Sequence, residues 1–317
     1  MSKKDTTSKG LFQNPEVFAD FFNTFVLENC KIQPESLRQM DTTLIHNDEK
    51  GKSSQRVQDV YKMAPVTMQD DEKVYCFFGI ENQTKACTYM PVRVLFYNAL
   101  CYIAQAEGKQ PLDDKGTLKK FRVGDKLRPV VSVVLYWGDE SWGNNPRSLS
   151  EMFDCPELAK FLPQQEMILI ELQKLTQEQI AQLQTELGLV FDIIKNSKNA
   201  DELSRIEADP RLNKLSSDAI ETIRCMSTLT CEFKGGNTMS DIVKRRRREM
   251  ELFKAEVREE LKDEVKAEVE AKVKAEVEAK SKDELNKANA RADEANARAE
   301  AAERELALLK AQLEKNK

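Results

Sequence analysis

From Ser240 to Lys317 the chain contains neither glycine nor proline. A stretch of that length without a breaker, rich in Ala, Glu, Lys and Leu, has one good solution, a continuous α-helix. At 1.5 Å per residue it would run to roughly 115 Å, far more than one core can cover. The tail is therefore read as a separate helical unit over 240–317, with Gly235-Gly236 as the break before it. The fold proper falls to the residues ahead of that break. They are read as one domain over 11–235, long enough for a substantial core, behind a polar 1–10 start expected to be disordered.

The two halves of the tail differ. Val257, Leu261, Val265, Val269, Val273 and Val277 recur every fourth place, and Lys266–Val273 is nearly repeated by Lys274–Ser281. A period of four moves the stripe about 40° round the helix at each step, so it winds instead of holding a seam. Glu268/Lys272, Glu270/Lys274, Glu276/Lys280 and Glu278/Lys282 stand at the favourable i,i+4 spacing of a solvated rod. Leu285, Ala288, Ala292, Ala295, Ala299, Ala302, Leu306, Leu309 and Leu313 instead alternate three and four apart. That spacing keeps one face, the pattern of a coiled coil over 285–313. A homo-oligomer is expected from it, with a lone Ala-rich helix as the alternative. The basic run Lys244–Arg248 invites a nucleic-acid reading, but on a helix its side chains spread round the circumference, which favours a solvated helix start.

Composition narrows the chemistry. The single histidine, His46, lies in the polar Ile45–Lys50 stretch and is read as a loop residue, which argues against zinc, Ser–His and Cys–His sites. No glycine-rich phosphate loop is present. The seven cysteines (Cys30, Cys76, Cys87, Cys101, Cys155, Cys225, Cys231) include no Cys-x-x-Cys pair and are read as reduced thiols. The polar start is no signal peptide, and no apolar run nears the ~20 residues of a membrane helix. A soluble, cytoplasmic protein with no membrane partner is expected. The tail carries 20 basic and 20 acidic residues, leaving 29 basic against 34 acidic before it. A nucleic-acid enzyme of this charge would need a local basic surface. What remains for catalysis is carboxylate and metal chemistry.

Val74-Tyr75-Cys76-Phe77-Phe78 reads as a buried strand and runs on into Gly79-Ile80-Glu81-Asn82-Gln83. Strand alternation puts Glu81 and Gln83 on one face. Arg56–Met63 is a second strand candidate containing Asp59, with Pro65 and the polar Gln69–Lys73 stretch as turn material between the two. A hairpin closed there brings Asp59 near Glu81. Two carboxylates at strand ends suit a hard divalent cation such as Mg²⁺, and a neighbouring amide could orient a water. The alternative is an ordinary hairpin with polar ends. Glu171-Leu172-Gln173, after the strand candidate Met167–Ile170, repeats the Glu-x-Gln pattern and is a rival. Glu81 is preferred because no acid-bearing strand lies one short hairpin before Glu171.

Elsewhere, Asn14-Pro15-Glu16 opens a helix with Phe18, Phe21, Phe22, Phe25 and Val26 on one face and Asp20 off it. Residues 32–54 read as a polar connection. Met90-Pro91 starts a helix to about Glu107, ended by Gly108, with Val94, Tyr97, Leu100 and Cys101 as its buried stripe. Arg93 on that helix is read either as a phosphate contact or as a structural partner for an acid. Residues 108–128 form a polar insertion with seven Lys or Arg. Pro129–Tyr136 is the clearest strand, a helical patch is expected over 149–162, and helices follow Thr176 to about Glu232 with a break at Asp209-Pro210.

Asp59, then Ile80-Glu81-Asn82-Gln83, then Met90-Pro91-Val92-Arg93-Val94-Leu95-Phe96-Tyr97 resembles the PD-(D/E)XK nuclease superfamily, and within it the bacterial transposase-like, recombination-promoting branch. Phe18-Ala19-Asp20, Gly124–Val130, Trp142 and Arg147-Ser148-Leu149 continue the likeness, which spans roughly 10–235. The resemblance implies an α/β, restriction-endonuclease-like mixed sheet flanked by helices, here with a long C-terminal coiled-coil tail. It implies Mg²⁺ (or Mn²⁺)-dependent hydrolysis of DNA, with Asp59 and Glu81 as metal ligands. Gln83 stands where many members carry lysine. An acid on the first helix often joins such a site, which makes Asp20 a further candidate ahead of Glu16. The rival expectations are a catalytically weak or inactive DNA-binding or scaffold protein of the same fold, and a coiled-coil adaptor whose globular part binds protein.

Overall fold

A computed structural model describes residues 9–40, 43–47, 53–57, 59–68, 72–110, 118–161, 166–227 and 238–315. A helical turn over 9–13 precedes α1 (Pro15–Phe25), which is followed by the short strands β1 (Lys31–Ile32) and β2 (Arg38–Gln39). Next come β3 (Thr43–Asn47) and β4 (Ser53–Val57), which pair only with each other, then β5 (Val60–Thr67) and β6 (Lys73–Gln83). Helix α2 (Met90–Ala106) leads to β7 (Val130–Tyr136) and β8 (Ile168–Glu171). The remainder is helical: α3 (Gln177–Ala181), α4 (Glu186–Asn196), α5 (Ala200–Glu207), α6 (Ser217–Met226) and α7 (Met239–Lys315).

The main sheet is mixed, in the order β1-β5-β6-β7-β8, with β2 also on β5. β5 and β6 form the expected antiparallel hairpin, with Val60 opposite Ile80. β6, β7 and β8 run parallel, so a crossover must return the chain, and α2 supplies it between β6 and β7. Covering helices on both faces explain why the central strands read as nearly unbroken apolar runs. On one face Phe78, Ile80, Val133 and Leu135 pack against α1 and the helices after β8. The Phe22 and Phe78 rings meet edge to face at 5.0 Å. On the other face Phe77, Tyr61 and Met63 pack with Leu100 and Cys101 of α2, while Val134 and Tyr136 pack with Met90, Val94 and Trp142. Each large apolar side chain buried this way contributes roughly 1.5–3 kcal/mol.

Local signals behave as their chemistry requires. Asn14 caps α1, its Oδ1 accepting from the Glu16 N–H at 2.9 Å, with Pro15 next. Beyond α2, Gly108 takes φ +72°, and a Cβ there would lie 2.8 Å from the Lys119 carbonyl oxygen. The six described cysteines are free thiols, and Cys231 lies outside the described residues. The Cys101 thiol donates to the Tyr61 hydroxyl at 2.8 Å, and burial pushes it up to about 11.

Four expectations change. His46 lies in strand β3, opposite Ser54, and not in a loop. Asp59 sits in a bend just before β5, because β4 and β5 are separate strands belonging to different sheets. The helical patch near 149–162 resolves into two 3-10 turns, Ser150–Met152 and Pro156–Phe161; a proline restricts the residue ahead of it and interrupts the run. The long helix also begins inside the globular unit. Met239, Ile242 and Val243 are buried in the core, Arg247 pairs with Glu207 at 2.8 Å, and Arg246 donates to the Ser197 carbonyl at 3.3 Å. Two arginines of the basic run thus serve the globular fold. The chain divides by its contacts into 1–250 and 251–317.

The second unit is the rest of α7. Its Glu268–Lys272 and Glu276–Lys280 pairs close at 2.6 and 2.8 Å, and Leu285, Ala288, Ala292, Ala295, Ala299 and Ala302 are exposed. The side chains of Leu306, Leu309 and Leu313 lie outside the described residues. Among the described residues no helix is long and apolar enough to cross a membrane.

Lys62 of β5 is a buried amine in the core. Only 3% exposed, it donates to the Gln13 carbonyl at 2.8 Å and lies 4.8 Å from the centre of the Phe18 ring. Burial lowers its pKa to about 8. The folded state thus disfavours the charged amine by roughly 3 kcal/mol while the unfolded chain keeps it protonated to about pH 10.4. Lys62→Met is expected to raise Tm at pH 7. The gain should shrink as pH climbs from about 8 toward 10, where the wild-type amine is neutral when folded, and thermal melts of both proteins across that range check it.

Candidate active site

Extending the β5–β6 register by one residue sets Asp59 across from Glu81. The bend at Asp59 is tied down by its own carboxylate, whose Oδ2 accepts from the Asn82 N–H at 2.9 Å. Asn82 points to the other face, where its Oδ1 accepts from Trp137 Nε1 at 2.9 Å. The Gln83 carbonyl accepts from the Trp137 N–H at 2.8 Å, carrying the ladder to the strand end. Both sides of the strand tip are therefore fixed. Glu81 and Gln83 emerge together on the α2 face, with Gln83 Nε2 donating to Glu81 Oε1 at 3.2 Å.

Charge balance comes from two other segments. Arg93, in the first turn of α2, donates to Glu81 Oε1 and, at 3.2 Å, to the Tyr97 hydroxyl. Lys9, ahead of α1, places Nζ 2.9 Å from Asp59 Oδ1, and both side chains are largely buried. Burial alone would lower the Arg93 pKa, but Glu81, Tyr97 and Cys87 together outweigh it and hold the guanidinium protonated. Burial raises the Tyr97 phenol, Glu81 adds to that, and Asp59 contributes a smaller push against the hydrogen bond from Arg93. Asp59, Glu81, Arg93 and Tyr97 thus share one electrostatic neighbourhood. Of the two readings of Arg93, the structure supplies the acid partner, Glu81.

Asp20 is not part of this group. Helix α1 covers the opposite face of the sheet, and Asp20 Oδ2 accepts from the Gln184 N–H at 2.9 Å, the Thr185 N–H at 2.8 Å and the Thr185 hydroxyl at 2.7 Å. It secures the turn before α4. Glu16 is exposed at the start of α1.

Glu171, the rival, does lie on the α2 face. Tyr136 pairs with both Gln83 and Glu171, so Glu171 ends its strand two places across the sheet from Gln83. Its environment differs, however. Oε2 accepts from the Trp142 N–H at 2.9 Å, and Oε1 takes Arg147 at 3.0 Å and Lys174 at 2.8 Å. Gln173 falls in a 3-10 turn, so the pair shares no strand face. Glu171 pins the Trp142–Arg147 loop to the sheet.

Sequence reasoning missed Lys9, which no local pattern connects to Asp59. It placed Tyr97 in the buried stripe and in the Met90–Tyr97 motif without pairing it to Arg93, although the two stand four apart, the spacing at which helical side chains meet. A pocket of about 400 Å³ opens beside them, lined by Tyr89, Val92, Arg93, Phe96 and Tyr97. Among the described residues no cluster of three or more His, Cys, Asp or Glu is placed to hold a metal ion.

Residues 2–217 match a family model described as "Putative transposase, YhgA-like". The chain belongs to this YhgA-like transposase family. The match takes in the carboxylate pair, Arg93, the whole sheet and Glu171, and it ends before the tail. Searches of curated proteins and of solved structures return no match.

Burial works against the Glu171 charge, but the Lys174, Trp142 and Arg147 interactions outweigh it and hold its pKa below the usual carboxylate value. A depressed carboxyl stabilises the fold above its unfolded pKa, and that contribution is lost as pH falls through the folded one. Glu171→Gln should therefore lower Tm at pH 7, and the difference from wild type should close as pH drops below about 4. Melts of the two proteins over that range test the structural role.

Proposed function

We propose that this transposase-family domain is a Mg²⁺- or Mn²⁺-dependent DNA endonuclease of the PD-(D/E)XK type, with a restriction-endonuclease-like fold. One observation carries the reading. The β5–β6 register opposes Asp59 and Glu81 at the tip of the hairpin and leaves Gln83 on the same face. Membership of a transposase family supports DNA as the substrate.

The donor set suits the ion. Two carboxylates and an amide are hard oxygen donors, and Mg²⁺ commonly takes one or two protein carboxylates and keeps several waters. Asp59 and Glu81 would hold it. Lys9 and Arg93 pair with these carboxylates, and a bound cation would compete with Lys9 for Asp59. When bound, the ion would polarise a phosphoryl oxygen and acidify water. The chain's own groups do the remaining work. Gln83 hydrogen-bonds and orients the attacking water without adding charge. Lys9 and Arg93 would offer positive charge to the phosphate, a part that lysine plays at position 83 in many superfamily members.

The same ion pairs favour a second reading, a DNA-binding or scaffold protein without turnover, whose carboxylates are satisfied permanently by Lys9 and Arg93. Plasmid cleavage and Mg²⁺-dependent thermal shift, measured together, separate the two. Asp59→Asn and Glu81→Gln should each lower cleavage by roughly two orders of magnitude or more and abolish the shift. Lys9→Met should strengthen the shift, and Gln83→Lys should preserve or raise cleavage. Wild-type protein showing neither shift nor cleavage supports the scaffold reading, while full cleavage by both carboxylate variants removes the assigned site.

For the tail, we infer self-association through the 285–313 seam. Its exposed Leu285 and alanine face would be covered by a second copy. Sedimentation should show monomers on deletion of 284–317 and an intact oligomer on deletion of 256–280. An oligomer that survives the first deletion places the interface in the globular unit.

A further inference from the structure

Residues 118–128 carry five cations, Lys119, Lys120, Arg122, Lys126 and Arg128, against one acid, Asp125, in a chain whose net charge is −5. Asp125 is already engaged. Its Oδ1 takes Lys119 Nζ at 2.7 Å, and its Oδ2 accepts from the Arg122 N–H at 2.8 Å. The Asp125 N–H donates to the Arg122 carbonyl at 3.0 Å, closing a turn over Val123 and Gly124, the latter at φ +92°. Lys120 and Lys126 are exposed and form no ion pair among the described residues. Val123, at the tip, is fully exposed. The segment is fastened to the last turn of α2. The Phe121 N–H donates to the Ala106 carbonyl at 3.0 Å. Buried Gln105 grips Arg128, accepting from its N–H at 2.8 Å and donating to its carbonyl at 3.2 Å. The Arg128 guanidinium lies 5.9 Å from the centre of the Tyr75 ring, and alternation along β6 puts Tyr75 on the sheet face of Glu81.

Like charges gathered on one short segment repel each other, and a polyanion relieves that repulsion. The basic segment and the carboxylate pair stand at opposite ends of α2. Arg93 in its first turn reaches Glu81, and Ala106 at its end holds Phe121. From Arg93 to Ala106 the helix rises roughly 20 Å at 1.5 Å per residue. The same span of duplex is about six base pairs at 3.4 Å each. We propose that residues 118–128 form a phosphate clamp for duplex DNA, holding the backbone about six base pairs from the phosphate at Asp59 and Glu81. Backbone contacts position a duplex and carry no sequence information, so the clamp is indifferent to sequence. It supplies the local attraction that an acidic chain otherwise lacks. An anionic lipid surface would meet the same cations, but the transposase family and the carboxylate pair on the same sheet face favour DNA. The spacing from the cut rests on the nuclease reading, whereas the binding surface is measured without it.

The test uses the full-length protein with Ca²⁺ in place of Mg²⁺ and random-sequence duplexes of about 30 base pairs, titrated at about 50 to 200 mM salt. Lys120→Gln, Arg122→Gln and Lys126→Gln together should weaken binding roughly tenfold or more. The slope of log affinity against log salt should fall by about two to three, equally for different sequences. All three positions are exposed, so thermal melts should match wild type. Lys119 is spared because it engages Asp125 in the turn. Lys120→Arg with Lys126→Arg should keep wild-type affinity. Lys262→Gln, Lys266→Gln and Lys274→Gln remove the same charge from exposed positions of α7 and should leave affinity and slope as in wild type. Val123→p-benzoylphenylalanine should cross-link to the duplex on irradiation. An unchanged slope in the first triple variant, an equal loss in the α7 variant, or no cross-link at Val123 overturns the proposal. So does binding to phosphatidylserine vesicles that the first triple variant loses while its DNA affinity holds, which would make the partner a membrane. Mg²⁺-dependent plasmid cleavage by wild type is scored separately. A clamp that binds DNA without any cleavage sinks only the nuclease reading, and cleavage with an unchanged slope sinks only the clamp.

Discussion

Strand β6 is covered on both faces, and the alternation of its side chains organises nearly everything else. Phe78 and Ile80 commit one face to α1 and the later helices, and Phe77 commits the other to α2. Slipping β6 by one residue would turn all of these side chains to the wrong layer. The register is therefore strongly specified by burial, and the positions of Glu81 and Gln83 follow from it. A carboxylate at 6% exposure is tolerated at the strand tip because Arg93 arrives on the same face. Removing one partner of such a pair leaves an uncompensated buried charge, typically a loss of about 3–5 kcal/mol.

That constraint separates two acids that look alike in sequence. Glu81 and Glu171 both end parallel strands on the α2 face, and both are ion-paired. Glu171 is enclosed by Arg147, Lys174 and the Trp142 amide, and these contacts fasten a loop to the sheet. Glu81 instead opposes a second acid, stands beside an amide and shares Arg93 with an open pocket. The Asp59–Glu81 pair takes its cations from two separate segments, Lys9 ahead of α1 and Arg93 on α2.

The long helix illustrates a different balance. Nothing in its sequence breaks it after its first turns, which join the core through Met239, Ile242 and Val243, whereas Val265, Val269, Val273 and Val277 are exposed. The i,i+4 ion pairs each add only a few tenths of a kcal/mol to such a rod. Its persistence as a helix depends on the absence of breakers and on helix propensity summed over many residues.

The sequence by itself determined the elements whose signals are local. The β5–β6 hairpin, the α2 boundaries at Met90 and Gly108, the strand at Val130–Tyr136 and the breaker-free tail were all legible, because periodicity, caps and glycine conformation act within a few residues. Tertiary structure alone decided which charges meet. Lys9 reaches Asp59 across fifty residues, Asp20 turns to Thr185 instead of the carboxylates, and Arg247 finds Glu207. It also moved the start of the long helix into the core, where three apolar residues supply a burial energy that the glycine pair before them could not signal. Side-chain electrostatics depend on distances of a few ångströms between segments far apart in the chain. No spacing rule encodes those distances until the sheet has brought the segments together.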